Sequence, residues 1–174
     1  MMRLTEMNRR ALARLVIGAA GAVALPQSLT AAEDASSDKK ILTISGRIRE
    51  GHGSVTYTRP ALEALGMHGF TTKTPWYDAP VTFEGVPMAT LMQKVGAAGD
   101  HVTAIALNDY TTDIPMADFS RFGVILALKR DGNYMPVRDK GPLFIVYPYD
   151  SNPVLRSSTY TSRSAWQVSQ LIVK

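Results

Sequence analysis

Apolar residues fall into two regimes along this chain. From Leu15 to Leu25 (LVIGAAGAVAL) they form one unbroken run behind a basic stretch that includes Arg9-Arg10 and Arg14. Beyond residue 40 they come in short bursts separated by Gly, Pro, Asn and Asp. Such bursts between turn residues read as strands, which places strands at 41–46, 69–74, 80–84, 101–107, 123–128, 143–147 and 165–173. Two stretches carry helical signals instead. Thr58–Gly66 has Pro60 in its first turn and Gly66 as its stop. Met88–Val95 sets Met88, Leu91, Met92 and Val95 at i, i+3, i+4 and i+7, one buried face, so its methionines read as core. Ala117–Phe122 adds a helical turn, Asp131-Gly132 marks a hairpin, and 150–162 (DSNPVLRSSTYTS) reads as a polar loop. About seven strands with two or three short helices, without βαβ alternation or a repeat, predict an α+β domain that is mostly β.

The N-terminal run changes the charge picture. A basic segment, an apolar core of about eleven residues and the small residues Thr30-Ala31-Ala32 form the pattern of an export signal over residues 1–32. At about 1.5 Å per residue the run is too short for a hydrocarbon core of about 30 Å. Arg9-Arg10 followed by Ala11-Leu12 resembles a twin-arginine signal. The expectation is therefore export to the periplasm, a flexible leader at 33–40 and a folded domain at 41–174. The whole chain carries a formal +4. Residues 1–32 hold four Arg and one Glu, which leaves 15 Lys+Arg against 14 Asp+Glu, a net +1. No polybasic run survives, so no nucleic-acid partner and, once the signal is cleaved, no membrane insertion are expected.

Catalytic signatures are absent. The chain has no P-loop, no GxGxxG, no HExxH and no GxSxG. His52, His68 and His101 lack metal-ligand spacing, and with zero Cys there is no thiolate for a metal, a disulfide or a nucleophile. What remains is a set of polar and aromatic residues at strand ends, where small-molecule sites are commonly built. These are Trp76, Asn108-Asp109-Tyr110, Arg138-Asp139-Lys140, Tyr147–Asp150 and Tyr160–Trp166.

Several of these blocks, in this order, resemble the molybdopterin domain of sulfite oxidases. Thr71–Trp76 and Phe83-Glu84-Gly85-Val86-Pro87-Met88 come first. Asn108–Thr112 with Ile114-Pro115, Arg138–Pro148 and Arg163–Trp166 follow. The likeness covers roughly residues 41–173 and implies a sulfite-oxidase-like fold of mixed sheets with a few short helices. That family places a molybdenum-ligating cysteine four residues before the tryptophan; here the position is Thr72, and Phe144 stands near an expected arginine. A threonine hydroxyl is a poor substitute for thiolate.

The chain thus resembles the small cysteine-less periplasmic pterin-binding proteins of that fold. The resemblance implies a non-catalytic protein without molybdenum that binds a reduced, unconjugated pterin. It would report that pterin to the periplasmic domain of a membrane-bound cyclic-di-GMP enzyme controlling biofilm formation. For such a ligand, Asn108, Asp109 and Asp150 could pair with the amino-oxo edge of the ring. Trp76, Tyr110, Tyr149, Tyr160 and Arg163 offer flat faces for stacking. Thr72 and Trp166 complete the candidate set. A molybdopterin-dependent oxidoreductase with a non-cysteine ligand and a ligand-free interaction module stand as alternatives.

Overall fold

The computed structural model describes residues 39–174. The expected signal at 1–32 and the leader up to residue 38 lie outside the described residues; Lys40 already opens the first strand. No described helix is long and apolar enough to cross a membrane.

Two sheets make the domain. In the first, β2 (Ser54–Thr58) pairs with β1 (Lys40–Gly46), β1 with β10 (Val168–Val173), β10 with β5 (His101–Ala106) and β5 with β6 (Thr111–Pro115). Only β1 and β10 run parallel; the other pairs are antiparallel. In the second sheet β3 (His68–Thr74) pairs with β4 (Tyr77–Pro87), β4 with β7 (Ile125–Arg130), and β7 with both β8 (Asn133–Tyr134) and β9 (Phe144–Val146). Three 3-10 turns (Glu50–Gly53, Val137–Asp139 and Pro153–Arg156) and four short α-helices complete the described elements: α1 (Arg59–Glu63), α2 (Met88–Lys94), α3 (Ala117–Phe122) and α4 (Ser158–Arg163). The mostly β, mixed-sheet architecture is as expected.

The pleat explains why β7 reads as an unbroken apolar run. Its side chains alternate between two cores. Leu126 and Leu128 enter the main core with Leu42, Ile44, Val102, Leu171 and the apolar face of α2. Ile125 and Ala127 enter a second cluster with Phe83, Phe144 and Val146, against which Trp76 and Trp166 pack. A strand buried on both faces has no polar face to show. Local signals also hold. Thr58 caps α1 by accepting the Ala61 N–H at 3.3 Å. Asp131 and Gly132 both have positive φ, 49° and 77°, as a two-residue turn between β7 and β8 requires.

Two strands carry little sequence signal, and two expectations are corrected. β2 lies in Ser-Val-Thr-Tyr-Thr, which offers only Val55 and Tyr57 as an apolar alternation. β6 starts at Thr111, three residues before its first apolar residue, Ile114. The loop expected at 150–162 contains a 3-10 turn at Pro153–Arg156 and the helix α4. No residue of α4 is buried, so it carries no amphipathic signal. The last strand begins at Val168, not Ala165; Trp166 makes only an isolated bridge to Phe144.

Candidate functional site

The hairpin of β3 and β4 turns through Pro75-Trp76, with Thr74 paired to Tyr77. This puts Trp76 at the tip, where three rings fix it edge to face. Phe144 is 5.3 Å away between centroids, Trp166 5.5 Å and Tyr149 6.1 Å. Such T-shaped pairs contribute about 0.5–1.5 kcal/mol each beyond burial. Trp76 is therefore a braced platform.

Opposite the hairpin tip lies the turn after β5. Asn108 Oδ1 accepts the Tyr110 N–H at 3.2 Å, closing a side-chain-stabilised turn in which Asp109 takes a φ of 64°. Tyr110 in turn donates its hydroxyl to the Ser162 carbonyl at 2.7 Å, tying this turn to α4. A cavity of about 250 Å³ opens between Trp76, Trp166, Asn108 and Tyr110. Its remaining wall comes from the end of α4 and the residues after it: Thr161, Ser162, Ser164 and Ala165.

The wall is held from below. Tyr149 is buried, its hydroxyl 2.6 Å from Ser164 Oγ, and Ser164 donates to the Tyr160 carbonyl at 2.9 Å. Burial pushes the Tyr149 phenol up to about 12, against the opposing effect of its hydroxyl partners. Tyr147 donates to Asp118 at 2.8 Å, and Arg163 Nη1 reaches the same carboxylate oxygen at 2.8 Å. Burial, then the Asp118 carboxylate, raises the Tyr147 phenol far above its ordinary value.

Of the ten candidate residues, the structure brings Trp76, Asn108, Tyr110 and Trp166 to one cavity. Tyr149 underlies it without lining it. Tyr160 packs its ring on Phe122 and Tyr147, each at 5.3 Å. The Arg163 guanidinium bonds Asp118 and lies over the Tyr160 ring, 5.4 Å from its centroid, which makes it part of the scaffold of α4 and keeps it off the cavity wall. Asp109 is exposed and does not line the cavity. Asp150 lines a separate surface depression with Lys73 and Arg156. Its carboxylate accepts the Lys73 N–H at 2.7 Å and bonds Arg156 at 3.2 Å; the backbone bond first, then Arg156, holds its pKa below the ordinary value. Thr72 is 1% exposed; its hydroxyl donates to the Lys73 carbonyl at 3.2 Å and accepts the Asp150 N–H at 3.1 Å. Thr161, Ser162, Ser164 and Ala165 carry no sequence signal of their own; only their place between Tyr160 and Trp166 marks them.

These facts decide what the cavity suits. A thiolate-held metal does not fit: the chain has no cysteine, the Thr72 hydroxyl is already bonded on both sides, and the described residues contain no group of three or more His, Cys, Asp or Glu placed to hold a metal. No charged side chain lines the cavity. Two indoles, a phenol ring and one amide suit a flat, uncharged heterocycle. The volume lies slightly below the ~300–1,000 Å³ of pockets that enclose drug-sized ligands, which suits one small ring system.

Two comparisons with known proteins bear on this site. The family model described as the oxidoreductase molybdopterin binding domain matches residues 55–150, more than half of the chain. The match takes in Trp76, the Asn108 turn and Tyr149, and ends before α4 and Trp166. No curated protein matches the chain.

Proposed function

We propose, on the premise that the chain belongs to the oxidoreductase molybdopterin-binding domain family, that it binds a reduced, unconjugated pterin without catalysing its conversion. The carrying observation is the cavity between Trp76 and Trp166, lined by aromatic rings and the Asn108 amide and by no charged side chain. A reduced pterin keeps a flat pyrimidinone ring, neutral near pH 7, whose exocyclic 4-oxo oxygen and ring nitrogens accept hydrogen bonds. The Asn108 oxygen serves the Tyr110 N–H, so its amide N–H groups are the donors offered to the ligand. Micromolar affinity takes about 8 kcal/mol, more than one stacking contact supplies. Three rings and one amide have to act together, along with burial of the ligand's apolar area, to reach it.

The missing thiolate separates this chain from the redox chemistry of its family. Molybdenum in such enzymes rests on a soft sulfur ligand, and Thr72 is a buried, satisfied hydroxyl in its place. In this reading the protein acts in the periplasm and reports pterin to the periplasmic domain of a membrane-bound cyclic-di-GMP enzyme. Titration of the purified protein with tetrahydropterin, alongside elemental analysis, tests it. Saturable binding without metal is expected; stoichiometric molybdenum would instead establish an oxidoreductase with a non-cysteine ligand.

A further inference from the structure

A cavity larger than the ring pocket lies beside it. A groove of about 550 Å³ runs beside the starts of β1 and β10, between residues 39–43 and 168–170 on one side and 135–137 on the other. Its floor is apolar, from Ile41, Leu42, Val168 and Met135. Two further apolar residues stand unburied at its rim, Leu107 at 53% exposure and Val137 at 49%. Its charges are all of one sign: Lys39, Lys40 and Arg59 line it, and no carboxylate does. Among the described residues none of these three cations is in an ion pair.

The groove shares a wall with the ring pocket. Leu107 lines the groove while its neighbour Asn108 lines the pocket, and Trp166 lines the pocket while Val168 lines the groove. One backbone hydrogen bond joins the two halves of that wall, from Leu107 N–H to the Gln167 carbonyl at 2.9 Å. Gln167 itself has a left-handed φ of 55° and donates from Nε2 to the Val137 carbonyl at 2.7 Å. A ring seated against Asn108 and Trp166 therefore bears on the residues that set the groove's two exposed apolar side chains.

We propose that this groove is the docking surface for an extended, acidic segment of a protein partner, with apolar side chains reaching the floor and carboxylates facing Lys39, Lys40 and Arg59. Strand-lined clefts take extended segments, and complementary charge steers and selects them. The coupling to ligand rests on the pterin reading above; the docking surface itself does not. Pocket occupancy would then alter docking by changing the shared wall.

Fluorescence polarisation of the full chain against labelled decapeptides alternating Leu or Val with Asp or Glu tests the proposal, with Lys-for-Glu peptides as controls. The acidic set is expected to bind, to weaken as salt is raised, and to lose about tenfold or more in affinity in Val137→Glu and in the Lys39→Glu/Lys40→Glu pair. Both substitutions sit on exposed side chains. Equal binding of the basic peptides, or unchanged binding by these variants, overturns the docking surface. Acidic-peptide binding that appears only when Glu33, Asp34 and Asp38 are changed to amides would give the groove to the chain's own preceding segment. Self-association abolished by Val137→Glu would give it to a second copy. Tetrahydropterin titrated into the same samples separates the two readings: peptide binding without pterin binding sinks the function proposed above and leaves the groove, whereas pterin binding with no peptide effect does the reverse.

Discussion

The hydroxyl of Thr72 accepts the backbone N–H of Asp150 at 3.1 Å, while the Asp150 carboxylate accepts the backbone N–H of Lys73 at 2.7 Å. The two residues clamp the end of β3 to the loop after β9, beneath the hairpin tip that carries Trp76. The Thr72 hydroxyl, four residues before Trp76, is thus committed to a structural bond.

Thr72→Val keeps shape but strips the acceptor from the Asp150 N–H. A fully buried donor left unpaired costs about 1–3 kcal/mol; this bond is half-buried, so a loss of about 1 kcal/mol is expected in urea unfolding at unchanged m-value. Thr72→Ser keeps the hydroxyl and should lose less, the lost methyl being its main change. Equal stability of wild type and Thr72→Val would show that the clamp contributes nothing.

Arg163 gives a prediction of the opposite kind to the one its aromatic neighbours suggest. Its guanidinium holds the Asp118 carboxylate, whose side chain is 9% exposed. Arg163→Ala leaves that charge with Tyr147 as its remaining partner, and breaking such a pair costs about 3 kcal/mol. The expected outcome is a protein of lower melting temperature whose folded molecules bind tetrahydropterin within a few-fold of wild type. Abolished binding at wild-type stability would return Arg163 to the ligand site.

How far the sequence disclosed all this depends on where the information resides. The pattern of β7 and the face of α2 are local and apolar, so they were legible. So was the Trp76 turn, because a tryptophan beside proline between two strands has few places to go. α4 was not legible: Ser-Thr-Tyr-Thr-Ser-Arg has no apolar stripe, and the helix is held by tertiary bonds from Tyr110, Tyr149 and Asp118. For the same reason the sequence could nominate Asn108 and Arg163 alike as polar residues at strand ends. Only the partners they find in space separate a pocket donor from a scaffold charge.

The buried phenols set the alkaline limit of stability. The Tyr149 pKa is about 12 in the fold and about 10 in the unfolded chain, so between those values the unfolded state has released a proton that the folded state retains. Its contribution is full below pH about 10 and is lost as pH rises through about 12. Tyr147 and Tyr57 are shifted in the same direction, both by burial first and then by a carboxylate partner. Tyr149→Phe should make the fall of urea midpoint across this window shallower. An unchanged slope would mean that Tyr149 titrates normally and is more open than its contacts indicate. The acid limb has the reverse sign: Arg130, at 2.8 Å, holds the Asp139 carboxyl below its ordinary value. Its contribution is present above pH about 3.9 and lost as pH falls through the lower folded value. Asp139→Asn should flatten that limb.

Asn108→Asp is the sharpest probe of the ring pocket, because it keeps the side chain's shape while changing its hydrogen-bond polarity and charge. The aspartate keeps an oxygen for the Tyr110 N–H, now accepted at 3.2 Å by Asn108 Oδ1, and so keeps the turn. It removes both amide donors and sets a charge in a cavity that has none among its lining residues. A ligand presenting acceptors to this position then faces an acceptor in return. Loss of a neutral hydrogen bond is worth about 1 kcal/mol, and a polar group facing a like partner without water costs more. Tetrahydropterin affinity should therefore fall by about tenfold or more, at about 1.4 kcal/mol per decade, with thermal stability nearly unchanged. Isothermal titration of wild type and variant measures this directly. Wild-type affinity in Asn108→Asp would show that the ring sits elsewhere, or that it presents donors to this residue; tighter binding would single out the second case, with the amino edge of the pterin turned toward residue 108.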